Sequence, residues 1–255
     1  MFNFFKFNNT CFSDTFLWRS DGFNTRVLTQ NTASLFYPEE NYQTKIIMTI
    51  YDKQFKKLKT IKKIIKKFDN FEYIFDSFNH GKDYGVFTLF HLIEKNPNKL
   101  SFLDSSTIGY KLNNKKIYSC VHRNHNFNSI NAGFLNQKNP FKIINSKEFT
   151  NYSPQLYFDD CRKCEITLKN ETNKDSVFKI KYLDLNRKII FIDEFIIKKK
   201  HILIYELKKD FLYRYIDIFS NLSIINKNDP NGSKGIINRP LIFKYFDSNF
   251  DVLHA

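Results

Sequence analysis

The 255-residue sequence predicts an all-β, mainly antiparallel chain. It reads as two tandem β-sandwich domains related by an internal repeat of about 132 residues, the offset from Asp52 to Asp184. Three observations lead there. Short runs of β-branched and aromatic residues recur at intervals of roughly ten residues, separated by turn-formers. The composition is 42 % hydrophobic, with 29 Phe and 14 Tyr against 7 Gly and 2 Met, a stock suited to pleated, half-buried surfaces. The chain also matches itself when slid along its own length.

In chain order the strand-like runs are "KIIMTIYD" (45–52), "YGVFTLFHLI" (84–93), "KIYSCVH" (116–122), "CEITLKN" (164–170), "VFKIKYLD" (177–184), "KIIFIDEFII" (188–197), "HILIYEL" (201–207) and "PLIFKYF" (240–246). Several alternate with period two, the signature of a strand with one buried face. "YDKQFKK", "LDLNRK" and "NKNDPNGSKG" supply turns between them. One segment, "KKLKTIKKIIKKF" (56–68), fits a basic amphipathic helix by spacing alone.

The repeat resolves that segment as β. At the 132-residue offset Lys56 falls on Lys188, "IIKK" (64–67) on "IIKK" (196–199), Tyr73 on Tyr205, Phe87 on Phe219 and His122 on His254. Upstream, "LTQNT" (28–32) matches "LKNET" (168–172) after an insertion of seven or eight residues near "YPEENYQT". Since "KIIFIDEFIIKKKHILIYEL" reads as two strands around a basic turn, its counterpart 56–75 is a strand pair as well. The expected division is an N-terminal sandwich over 1–145, including a Trp-containing leading segment, and a C-terminal sandwich over 146–255. Residues 132–159 read as a linker or crossing segment. This layout of strands and turns resembles tandem immunoglobulin-like modules, and a shared layout transfers no function.

The net charge of +14 raises the question of nucleic acid. Of 40 basic residues 7 are Arg, and bidentate reading of phosphate or guanine favours the guanidinium over the ammonium. Lys, Asn, Ile and Phe are also encoded by A/T-rich codons, so coding bias raises all four together. The expected partner is therefore an anionic or polyhydroxylated molecule such as a glycan rather than nucleic acid. "MFNFFKFNNTCF" lacks the basic, apolar and cleavage regions of a signal peptide, and no apolar run reaches the length of a membrane span. Cys11, Cys120, Cys161 and Cys164 are too few for a disulfide scaffold, so a soluble cytoplasmic protein with reduced thiols is expected.

Four stretches carry residues suited to chemistry. "IYSCVHRNHNFN" (117–128) ends in His122-x-x-His125, with Arg123 and Asn124 between. At a strand end these imidazoles point apart unless the chain turns, and zinc or another divalent metal would need further ligands from Cys120, His91 or His80. The ordinary alternative is a polar loop leaving a strand. "HRN" resembles a kinase catalytic-loop fragment, but no glycine-rich loop or "DFG" accompanies it. Cys161-Arg-Lys-Cys164 is a single CxxC without the second pair a structural zinc requires, and outside the helical context of a redox motif. The neighbouring acids in "FDD" (158–160) and "IDE" (192–194) face opposite ways along a strand, so neither pair converges by default. Asp52 and Asp184 fit turn chemistry.

The fourth stretch, "FLWRSDGFNTRV" (16–27), holds the single tryptophan, Trp18, with Arg19, Asn24 and Arg26. Trp, Arg and Asn together stack on and hydrogen-bond polar ligands, and Trp beside a "DG" turn also suits a sandwich edge. The expected function is a non-enzymatic binding protein with ligand contacts from Trp18, Arg19, Asn24, Arg26, His122, Arg123, Asn124, His125 and His254, and no required cofactor. The alternatives are a metal-dependent hydrolase or lyase using His122 and His125, and a structural assembly protein.

Overall fold

The computed structural model describes residues 15–93, 106–122, 141–210, 212–226 and 240–254. Among them lie sixteen strands in four four-stranded sheets and two short helices. The chain divides into two compact units. Apart from the turn Asp52–Lys56, the first ends at Asn139 and the second begins at Pro140.

The first unit holds β1 (Thr15–Arg19), β2 (Phe23–Gln30), α1 (Thr32–Phe36), β3 (Thr44–Asp52), β4 (Lys57–Ile65), β5 (Asn70–Phe75), α2 (Ser77–His80), β6 (Tyr84–Ile93), β7 (Thr107–Leu112) and β8 (Ser119–His122). Its sheets run β1-β6-β3-β4 and β5-β2-β7-β8. The second holds β9 (Phe141–Tyr152), β10 (Lys163–Asn170), β11 (Ser176–Leu183), β12 (Ile189–Ile197), β13 (His201–Glu206), β14 (Tyr215–Asn226), β15 (Leu241–Tyr245) and β16 (Phe250–His254). Its sheets run β12-β11-β14-β9 and β13-β10-β15-β16. Adding eight to each strand number of the first unit reproduces both sheets of the second.

All eight strand-like runs form strands, and 56–68 is strand rather than helix. The linker expectation for 132–159 differs in part: β9 occupies twelve residues of it and runs through positions 145 and 146. β1 and β9 are edge strands; β9 is largely polar and β1 is buried along its whole length, so neither shows the alternation that marks a strand in sequence.

Each unit closes its core between its own two sheets. In the first, Trp18 of β1 stacks on Phe75 of β5 at 5.3 Å, and Phe75 stacks on Phe87 of β6 at 5.4 Å. The Tyr110 hydroxyl on β7 donates to the Leu17 carbonyl on β1 at 2.7 Å, again across sheets. In the second, one cluster joins Ile166 and Leu168 of β10 and Ile242 of β15 to Phe178 and Ile180 of β11 and Ile218 of β14.

The correspondence extends to single hydrogen bonds. Asp52 Oδ1 accepts from the backbone N–H of Gln54 and Lys56, and Asp184 Oδ1 accepts from Asn186 and Lys188, as Asp does in turns. The bulges fall between Ile50/Tyr51 and Tyr182/Leu183, again 132 residues apart. A buried asparagine closes each sandwich end. Asn31 Nδ2 donates to the carbonyls of Tyr42 and Lys66 at 2.8 and 3.1 Å, while Asn170 Nδ2 donates to those of Lys174 and Lys198 at 2.8 and 3.1 Å. Their acceptors keep the 132 offset, but Asn31 and Asn170 lie 139 apart. The difference is the insertion: residues 32–43, carrying α1, stand where the second unit has 171–175.

Asn170→Ala removes the donor for three carbonyls, because Asn170 Nδ2 also serves Ile197 O at 3.0 Å. The expected cost is about 3 kcal/mol in chemical denaturation, since buried acceptors are left unpaired.

Candidate functional site

The sequence candidates separate into two environments. Trp18 is 1 % exposed, its ring lies against Phe75 and His80, and its indole N–H donates to Tyr51 O at 2.9 Å. Arg19 is 4 % exposed, binds Asp21 through two nitrogens at 2.9 Å and lies over Phe23. Neither offers a face to a ligand: β1 turns the apolar end of "FLWRSD" into the core, and Arg19 follows it in. Asn24 and Arg26 stand on the opposite, outer face of β2, where burial alternates along the strand. His122 ends β8 with its backbone opposite Thr107, and His254 ends β16 opposite Leu241, so the two occupy matching ladder positions. Arg123, Asn124 and His125 lie outside the described residues, as do the side chains of His122 and His254.

The outer face of β5-β2-β7-β8 gathers residues distant in sequence. The antiparallel register sets Arg26 beside Gly109, Gly109 beside Cys120, and Asn24 beside Lys111. Gly109 leaves room for an aromatic ring on the sheet: a Cβ there would meet Tyr118 Cδ1 at 3.0 Å and Cys120 Sγ at 3.3 Å. Tyr118 therefore lies against the β7 backbone, with the Arg26 guanidinium 6.0 Å and the Lys111 ammonium 5.2 Å from its ring centroid. Arg26 Nε binds Glu72 Oε1 at 2.8 Å, and both side chains are 41 % exposed. Burial pushes the Tyr118 hydroxyl upward first, and Arg26 opposes that shift. The phenol thus stays neutral beside two cations and a carboxylate. Such a platform can stack an apolar ring face, hold an anionic group and bond hydroxyls.

Gly109, Lys111, Tyr118 and Glu72 escaped the sequence reading. A glycine inside the strand-like "TIGYKL" is the one signal that marked the place, since glycine in a strand often admits a close neighbour.

The matching row of the second unit is closed. Glu165, Phe243 and Val252 stand where Arg26, Gly109 and Cys120 do, and they are 8 %, 0 % and 2 % exposed. Lys163 binds Glu165 and Glu206, each at 2.9 Å, and the Tyr245 hydroxyl donates to Glu165 at 2.7 Å. The Glu165 carboxylate is thus already satisfied by its neighbours.

Among the described residues no three His, Cys, Asp or Glu side chains gather as a metal site. His91 Nε2 shares a hydrogen bond with Thr29 Oγ1 at 2.7 Å, and His80 Nε2 with the Tyr73 hydroxyl at 3.0 Å. Cys161 and Cys164 are buried free thiols. Hydrogen bonding from Cys164 draws Cys161 down, to about 7, with Lys209 and Lys244 assisting, while Cys164 is pushed far up. The acidic pairs diverge: Asp193 meets Tyr205 and Lys208, whereas Glu194 meets Lys179.

Comparison with protein-family models, curated proteins and solved structures finds no match to this chain. Among the described residues no helix is long and apolar enough to cross a membrane.

His80 gives the first unit a titration signature. Burial lowers its pKa, Asp76 opposes that and Lys59 adds to it. The neutral ring is favoured in the fold, so its stabilising contribution is present above the ordinary histidine range and is lost as pH falls through the lowered value. Acidification from neutral pH should lower the urea midpoint and quench Trp18 fluorescence, and His80→Phe should flatten both responses.

Proposed function

We propose that the chain is a non-enzymatic binding protein that takes an anionic, polyhydroxylated ligand, such as a sulfated or uronic-acid glycan, on the β5-β2-β7-β8 face of the first unit. The observation that supports this most directly is the Tyr118 ring laid over Gly109 between Arg26 and Lys111. The ring accepts the C–H face of a sugar, the two cations take a sulfate or carboxylate, and Glu72 and Asn24 take hydroxyls. Contacts of this kind come from preformed side chains on a rigid sheet, so little conformational freedom is lost on binding.

Calorimetric titration with a sulfated oligosaccharide and its unsulfated counterpart tests the reading. The sulfated sugar should bind more tightly, and Tyr118→Ala and Arg26→Ala should each weaken it by about tenfold or more. Gly109→Ala should weaken it as well, by displacing the Tyr118 ring. Lys163→Ala, on the closed face of the second unit, should leave affinity unchanged. Equal affinity for both sugars, or indifference to Tyr118 and Arg26, would refute the proposal.

A further inference from the structure

Strands β4 and β12 occupy the same edge of equivalent sheets, and among the described residues each pairs on one side only. Their outward chemistry is opposite. β12 exposes Ile189, Ile190, Phe191, Ile192 and Ile196 and carries Asp193 and Glu194 at its centre. β4 carries Lys57, Lys59, Lys62 and Lys63 and exposes Leu58 and Ile64. A long apolar edge strand ordinarily invites another strand, and lysines ordinarily guard against that.

We propose that β12 of one copy of the chain adds antiparallel to β4 of a second copy, joining their sheets edge to edge. In the register that sets Glu194 against Lys62, Asp193 falls against Lys63, Ile192 against Ile64, Phe191 against Ile65, and Phe195 against Ile61. The stretch uses 191–197 and 59–65, clear of both bulges, which precede these segments. Hydrogen-bond phase agrees as well. Ile61 opposes Met48 and Asp193 opposes Ile180, both 132 residues apart, so Lys62 and Glu194 hold the same ladder phase in their own sheets. The outward-directed backbone groups of the two edges, over 192–197 and 59–64, therefore meet in step.

Charge also disfavours like with like. β4 against β4 opposes lysines to lysines, and β12 against β12 centred on Asp193 opposes Asp193 to itself. The mixed pairing alone sets acid against base at its centre. The contact is heterologous: every copy carries one edge of each kind, so association continues head to tail into a ring or an open chain. Glu194 is 54 % exposed with Lys179 on its flank, leaving room for a second cation.

Sedimentation velocity on the full chain tests this with charge reversal. Wild-type protein should assemble as concentration rises, and added salt should weaken assembly. Lys62→Glu alone and Glu194→Lys alone should each weaken it by about tenfold or more, with circular dichroism unchanged. An equimolar mixture of the two single variants should assemble again, because each supplies the edge that complements the other. The double variant Lys62→Glu/Glu194→Lys should assemble by itself. A wild type that stays monomeric at high micromolar concentration overturns the proposal, as does failure of both the mixture and the double variant to recover assembly.

Discussion

A buried carboxamide ties the two sheets of each unit together at one end. Asn31 and Asn170 stand where β2 and β10 end, and each donates to the last carbonyl of a strand in the opposing sheet, Ile65 of β4 or Ile197 of β12, and to carbonyls of the adjoining turns. Their Oδ1 atoms are occupied too, Asn31 accepting from Thr44 Oγ1 and Asn170 from Thr172 Oγ1, each at 2.8 Å. A sandwich held by apolar packing alone leaves its sheets free to slide a residue past each other, because hydrophobic contact carries no direction. The carboxamide removes that freedom at one end, where the last carbonyls of β4 and β12 would otherwise be buried unpaired.

On this common strand order the two units differ on their faces and edges. The core rows and the Asp-closed turns are alike. The outer row Arg26–Gly109–Cys120 is open in the first unit, and Glu165–Phe243–Val252 is packed shut in the second. The edges differ as well: β4 is lined with lysine, and β12 is apolar with an acidic centre. One unit thus presents a polar face, the other a sticky edge. A repeated scaffold can distribute work in this way, because each copy keeps the fold while its surface changes independently.

The sequence revealed the fold through its strongest signals. Eight apolar runs became strands, and the offset between Asp52 and Asp184 survives as two identical hydrogen-bonded turns. Edge strand β9 was hidden because its polar residues break the period-two pattern, and β1 because its five residues, all buried, carry no alternation. The insertion resolves as seven residues, which pairs Asn31 with Asn170 rather than Leu28 with Leu168. The site was half legible. Asn24 and Arg26 stood out by residue type, and so did Trp18 and Arg19, but β1 is buried along its whole length, which takes both out of reach of a ligand. Tyr118 and Lys111 belong with Arg26 only through the β2–β7 register, a long-range pairing that no local window contains. Gly109 matters because of what lies on it, which sequence spacing does not show.

The most direct test is a nuclear magnetic resonance titration of the full chain with a sulfated oligosaccharide, read residue by residue. Amide shifts confined to Arg26, Gly109, Lys111 and Tyr118, with Glu165, Phe243 and Tyr245 silent, are what an open face on the first unit and a closed one on the second require. Shifts centred on the second unit, or spread evenly over lysines of both, would contradict the account.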